Sequence, residues 1–304
     1  MRLIVELLVQ GLINGAIYAL IAVGLAMVYG LLRILHVAHA GVFALGGYVG
    51  LVITNASGSF AGGVIGAMLV AAVCGALMYR FCYEPLLGDP PYVALIASVA
   101  IFLAMEEALR LTFGDHGLTF KSPPIAGALS IYGVRIRYAE LLVMGLAVVL
   151  LGSLAAFARR TRQGIAWRAT VSEPRMAESF GVDVRRVRYL AFSIGSALAA
   201  AAGVLVVVLN NVAEPHMGSV PSYKALAIIV LGGFGSVGGT LVAALVLGII
   251  EAFGSAFLSG WIDRDSIAFA TMLLVLLIRP QGLVAVGMRS SRSRGALSTP
   301  AKIA

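Results

Sequence analysis

Residues 5–31 read VELLVQGLINGAIYALIAVGLAMVYGL, and this stretch decides the fold. It carries one charged side chain, Glu6, in a run long enough to cross a ~30 Å hydrocarbon core as a helix, which takes about 20 apolar residues. Eight more such runs follow, near 36–55, 60–79, 92–109, 138–158, 189–209, 224–238, 240–259 and 266–279. The seventh and ninth are short, and His36, His39 and several glycines interrupt the second. The predicted fold class is an all-α polytopic membrane protein of eight to nine transmembrane helices, with one short run open to a re-entrant reading.

Composition agrees. The 304 residues are 60% hydrophobic and 12% charged, with a mean hydropathy of +0.99. A soluble domain is roughly a quarter charged, so most soluble enzymes and all disordered or collagen-like chains are excluded. The net charge of +8 lies in the gaps between apolar runs and forms no nucleic-acid-binding stripe. Cys74 and Cys82 lack metal-ligand spacing and read as packing residues. The N-terminal run meets no convincing cleavage site and reads as a first membrane helix that stays attached.

Positive charge sets the expected orientation. The basic loop 159–188 carries eight arginines, and the tail after the last crossing, 280–304, is also basic. With both in the cytoplasm and an odd number of crossings, fifteen basic residues fall inside and seven outside, Lys224 among the seven. This places the N-terminus outside and the C-terminus inside. Residues 111–137, with Pro123, Pro124 and the alternating IYGVRIRY, read as an external loop with a short hairpin. The chain 1–304 reads as one transmembrane domain.

No phosphate-binding loop, HExxH, CxxC or G-x-S-x-G occurs. Residues 233–238, GFGSVG, match a dinucleotide fingerprint, but another 20 apolar residues follow where a soluble βαβ unit is required. Gly232, Gly233, Gly235 and Gly238 are therefore expected to form a tight turn and to pack two membrane helices closely. No metal site or cofactor is expected.

Polar groups in lipid must face protein or water. Glu6, Gln10, Asn14 and Tyr18 recur every four residues and climb one face of the first helix. Asn14 and Tyr18 fit equally a pathway lining or interhelical hydrogen bonds. The second crossing opens LHVAHAG (35–41) and continues FALGGYVG (43–50), which includes Tyr48. Such a glycine-rich, polar start suits a discontinuous helix exposing backbone to a solute; the competing reading places His36 and His39 among lipid headgroups. Glu106 and Glu107 read either as proton carriers or solute contacts or, the reading the spacing favours, as ion-pair partners of Arg110 within one helix. Asn210 and Asn211, ahead of Pro215, begin a loop that either closes a gate or merely connects. In the basic loop, Ser172 is expected to cap a two-turn helix that Gly181 ends. Met176 and Phe180, beside Ala177, form an apolar knob suited to a partner's groove or to a lipid surface.

Several stretches resemble the permease subunits of branched-chain amino-acid ABC importers. They are GLINGAIYALIAVGLAMVYG (11–30), HVAHAGVFALGGY (36–48), RATVSEPRMAESFGVDVRRVRYLAFSIGSALAAAAGVL (168–205), PHMGSVPSYKALAIIVLGGFGSVGGTLVAALVLGIIEAF (215–253) and RPQGL (279–283). The loop helix resembles the family's coupling helix, with Glu173, Ala177 and Gly181 at its marked positions. The resemblance implies a second homologous permease, two ABC ATPase subunits, a periplasmic or extracytoplasmic solute-binding protein, and two inverted halves in a bacterial inner membrane. His36-Val-Ala-His39-Ala40 departs from the family's Asn-x-Ala-His-Gly-like segment, which opens the solute class beyond leucine.

Three functions compete. An importer permease would move solute by alternating access and do no covalent chemistry itself. A secondary transporter or channel would need an intramembrane ion-coupling set, and the helix centres read as almost free of ionisable groups. An intramembrane enzyme lacks a catalytic constellation.

Overall fold

The computed structural model describes residues 2–131, 134–233, 235–258 and 264–278. Among them, seven helices are long and apolar enough to cross a membrane: α1 (Arg2–Leu32), α2 (His39–Ser57), α3 (Phe60–Met78), α4 (Pro91–Phe113), α5 (Tyr138–Arg160), α8 (Val184–Asn210) and α10 (Val237–Leu258). Between α5 and α8 lie α6 (Arg162–Ser172) and α7 (Pro174–Ser179). The two short runs become α9 (Ser219–Gly232) and α11 (Arg264–Ile278). At 14 residues, α9 spans about 21 Å, too little to cross alone. The tail 280–304 and the RPQGL stretch lie outside the described residues.

Local chemistry sets the ends. Pro90 and Pro91 open α4, where a missing N–H costs nothing. Ser59 caps α3 by accepting from the Gly62 amide. A π-helical turn, Tyr79–Tyr83, continues α3. The expected hairpin forms from β2 (Ala128–Ile131) and β3 (Val134–Arg137). A pairing not expected joins β1 (Leu118–Thr119) to β4 (Val212–Ala213), tying the loop after α4 to the end of α8.

The helices pack in two matching sets. α1 packs on α10 as α8 packs on α3, and on α9 as α8 packs on α2. The pairs α2–α3 and α2–α4 recur as α9–α10 and α9–α11, while α1 and α8 meet each other. This maps α1–α4 onto α8–α11. Five helices of spanning length precede α8, so α8 runs opposite to α1, the relation of an inverted repeat.

With no solvent to drive apolar surfaces together inside lipid, tight packing of small residues holds such a bundle. A Cβ on Gly11 would lie 2.7 Å from the Ile249 Cα, and one on Gly248 2.5 Å from the Gly15 nitrogen. Gly203 of α8 meets the Phe43 carbonyl of α2, and Gly46 of α2 meets Ala200 of α8. Larger residues at these positions would force the helices apart. The outward faces of α3, α4 and α5 expose Leu69, Ile96 and Val148, as a lipid-facing surface requires.

Candidate functional site

The interior is not free of charge. Lys224 of α9 and Glu251 of α10 are 3% and 0% exposed and form a direct ion pair. The Tyr18 hydroxyl donates to Glu251 Oε2 at 2.5 Å and accepts from Lys224 Nζ at 3.1 Å. This corrects two expectations: Lys224 is no external loop residue, and the helix centres do hold ionisable groups. The pair stays hidden in the sequence because its members stand 27 residues apart on different helices. Two signals stood in the sequence, a lone lysine at the edge of the run 224–238 and a lone glutamate inside the run 240–259. Tyr18 makes interhelical hydrogen bonds.

A second buried polar group lies where α1 gives way to α2. His36 sits in the connecting turn, and α2 begins at His39, three residues later than the predicted crossing. Both imidazoles are buried, with ring centroids 5.7 Å apart. His36 Nδ1 lies 2.6 Å from the Tyr83 hydroxyl of the π-helical turn, and its ring packs on Phe192 of α8. His39 Nε2 lies 3.2 Å from the Ile21 carbonyl, one turn along α1 from Tyr18. Neither histidine sits at a surface. Burial first, and His39 second, hold the His36 imidazole well below its ordinary range. Among the described residues, no three His, Cys, Asp or Glu side chains gather as a metal site.

Asn14 is buried on α1. Tyr48 stacks on Phe113 at 4.7 Å within a core cluster. Asn210 and Asn211 are exposed at the end of α8, where Asn211 supplies a left-handed cap at φ 61°. Glu107, not Glu106, pairs with Arg110, while Glu106 meets His216. Both spacings, i,i+3 and i,i+4, allow a pair with Arg110, and it is His216, brought in from the other half of the bundle, that takes Glu106 instead.

The glycine turn joins α9 to α10. Gly233 and Gly235 adopt φ of +90° and +80°, which side chains rarely tolerate. Gly232 packs against Gly239 and Thr240, whereas a Cβ on Gly238 would meet nothing within 4 Å. The close contact thus falls one residue later than expected, because helix phase sends Gly239 toward α9.

In the basic loop, Ser172 is the last residue of α6, a helix not expected there, and Glu173 occupies the cap of α7. A chain already helical through Ser172 cannot use that residue as a cap. At the other end, Gly181 takes φ +82° and its amide bonds the Glu178 carbonyl, while the Val182 amide bonds that of Ala177. This αL ending is the stop that Gly181 predicts. Ala177 faces inward at 4% exposure, leaving Met176 and Phe180 57% and 82% exposed. Asp183 then caps α8 by accepting from the Arg186 amide.

A branched-chain amino acid transport system / permease component family model matches residues 7–278. The chain belongs to this family. The high-affinity branched-chain amino acid transport system permease protein LivH of Salmonella typhimurium is 33% identical over 90% of this chain and 93% of its own. BraD of Pseudomonas aeruginosa, described in the same words, is 32% identical over 91% and 94%. LivM of Escherichia coli is 27% identical over 88% of this chain and 68% of its own. Among solved structures, PsaBC from Streptococcus pneumoniae in complex with Fab covers 88% of this chain at TM-score 0.47 and 12% identity, a likeness that carries no argument.

This branched-chain-type permease is a multi-pass membrane protein and a permease subunit of an ABC importer. LivH and LivM are both similar to it, so permeases of this kind include more than one related chain. Within the permease, polar contacts join the loop to the bundle. Glu84, at the end of the π-helical turn, pairs with Arg185 and accepts from the Tyr189 hydroxyl at 3.1 Å. The start of α8 is thereby joined to the end of α3.

Proposed function

We propose that this chain carries branched-chain amino acids or related small solutes across a bacterial inner membrane by alternating access. It works with a second homologous permease, two ABC ATPase subunits and an extracytoplasmic solute-binding protein. The observation that carries this reading is α7, a helix of six residues. Helices so short are unstable alone, yet this one turns Met176 and Phe180 outward over a buried Ala177. Such a knob fits an apolar groove on an ATPase. A push on it reaches α8 through Gly181 and Asp183, and α8 packs on α1, α2 and α3.

The N-out, C-in orientation has support from charge. With Lys224 buried, the basic residues divide fifteen inside and six outside. Three connections also share one end of the bundle. A Cβ on Gly30 would lie 3.3 Å from Val171 of α6 and 3.7 Å from the Gly235 Cα, and Glu84 meets Arg185.

The test is to purify the tagged chain in mild detergent from its native membrane and identify its companions by mass spectrometry. ATPase subunits are expected to accompany the wild-type chain and to be lost from Met176→Glu and Phe180→Glu. Uptake that survives ATPase inhibition would reject the importer in favour of a self-sufficient transporter.

A further inference from the structure

Two opposite charges meet in the interior where α1, α9 and α10 come together. Tyr18, in the middle third of α1, bridges Lys224 and Glu251 through its hydroxyl, and the ammonium also lies 5.3 Å from its ring centroid. Removing an ion pair from water is expensive, and a well-packed apolar pair of similar volume is often as stable or more so. Stability alone therefore does not account for the pair. Ionisable groups inside a membrane protein mark solute or ion pathways by default.

The surroundings say what can move. α1 and α10 are locked backbone to backbone through Gly11, Gly15 and Gly248. α9 touches α10 in the same intimate way at its far end, through Gly232 and Gly239, beside the left-handed Gly233 and Gly235. Lys224 lies eight residues before Gly232, about 12 Å along the helix, and reaches the α1–α10 unit by polar contact. α9 is entered through a 3₁₀ turn, Pro215–Gly218. It is thus a short helix with a glycine pivot at one end and a breakable charge contact nearer the other. Discontinuous helices at a repeat interface are where membrane transporters hold solute.

We propose that Lys224, Glu251 and Tyr18 form a charge gate on the solute path. α9 pivots about its Gly232–Gly239 contact and the pair opens. Lys224 then takes the carboxylate, and Glu251 the ammonium, of a passing zwitterion, so no charge is left unpaired. The zwitterion rests on the amino-acid reading above; the opening of the pair does not.

The gate is tested in the complete importer, reconstituted in phosphatidylethanolamine–phosphatidylglycerol vesicles. The chain carries Tyr18→Cys with Cys74→Ser and Cys82→Ser, which leaves Lys224 and Glu251 in place, and the probe is aminoethyl methanethiosulfonate. Labelling is expected to run at least about tenfold faster during ATP turnover than at rest, and saturating leucine is expected to slow it severalfold. Equal rates at rest and in turnover would overturn the gate. ATP-dependent labelling that leucine leaves unchanged, in an importer that transports leucine, would overturn the zwitterion assignment. If the wild-type importer takes up no leucine, the amino-acid reading fails, and ATP-dependent labelling still supports the gate. As a second variant, Lys224→Met/Glu251→Leu is expected to melt no lower than wild type while uptake drops at least about tenfold. Uptake within twofold of wild type would show the pair to be packing alone.

Discussion

Gly24 of α1 and Gly195 of α8 face each other so closely that a Cβ on either would lie 2.7 Å from the other's carbonyl oxygen. The contact is reciprocal and joins the leading helices of the two matching sets. Neither residue has room to grow, and backbone cannot yield as a side-chain tip can. Gly195→Ala is expected to destabilise the bundle by about 1–3 kcal/mol, as overpacked cores do. Gly145→Ala on α5, where a Cβ meets nothing within 4 Å, is expected to be neutral or to stabilise by about 0.5–1 kcal/mol. Thermal unfolding in one detergent compares them, and equal midpoints would contradict the packing.

Gly181 ends α7 for a conformational reason, since open space surrounds the position of its missing Cβ. Gly181→Ala must hold a side chain at φ +82°, a strain of about 1–2 kcal/mol. Asparagine tolerates that region far better. Solute uptake by the assembled importer is expected to fall severalfold in Gly181→Ala and to recover largely in Gly181→Asn. Equal losses would mean that glycine serves there for something other than its φ.

Glu84 collects Arg80 at 3.0 Å, Arg185, and the Tyr189 hydroxyl at 3.1 Å. Both arginines are half-exposed, so solvent screening limits the stability at stake to about 1 kcal/mol or less. Its position between α7 and the His36 connection gives it more weight in transmission than in folding. Glu84→Gln is expected to shift the unfolding midpoint little and to lower the solute moved per ATP severalfold. A proportionate loss of both would assign it a structural role only.

His36 is held neutral by burial. Its folded-state pKa lies below the unfolded value of about 6.5, so the unfolded chain binds the proton first as pH falls. Its contribution to stability is full above about pH 6.5 and is lost as pH falls through the folded value. Between pH 7 and 5 the melting midpoint of the wild-type chain is expected to fall more steeply than that of His36→Gln. Parallel pH profiles would show that His36 does not titrate on unfolding.

Apolar run length and glycine placement determined much of this protein before any coordinates. They marked the seven spanning helices within a few residues, the shortness of α9 and α11, the 128–137 hairpin, and the αL stop at Gly181. Each depends on neighbours in the chain: helix length against membrane thickness, the missing Cβ of glycine, the alternation of a strand. The apolar faces of Met176 and Phe180 were legible for the same reason. Tertiary structure alone decided which polar residues meet. Tyr18, Lys224 and Glu251 gather from three helices, 206 and 27 residues apart; a contact with His216 drew Glu106 away and left Glu107 to Arg110, and helix phase chose Gly239 over Gly238. Side-chain contacts across a bundle are set by how helix backbones cross, and no local pattern in one helix records where another will touch it.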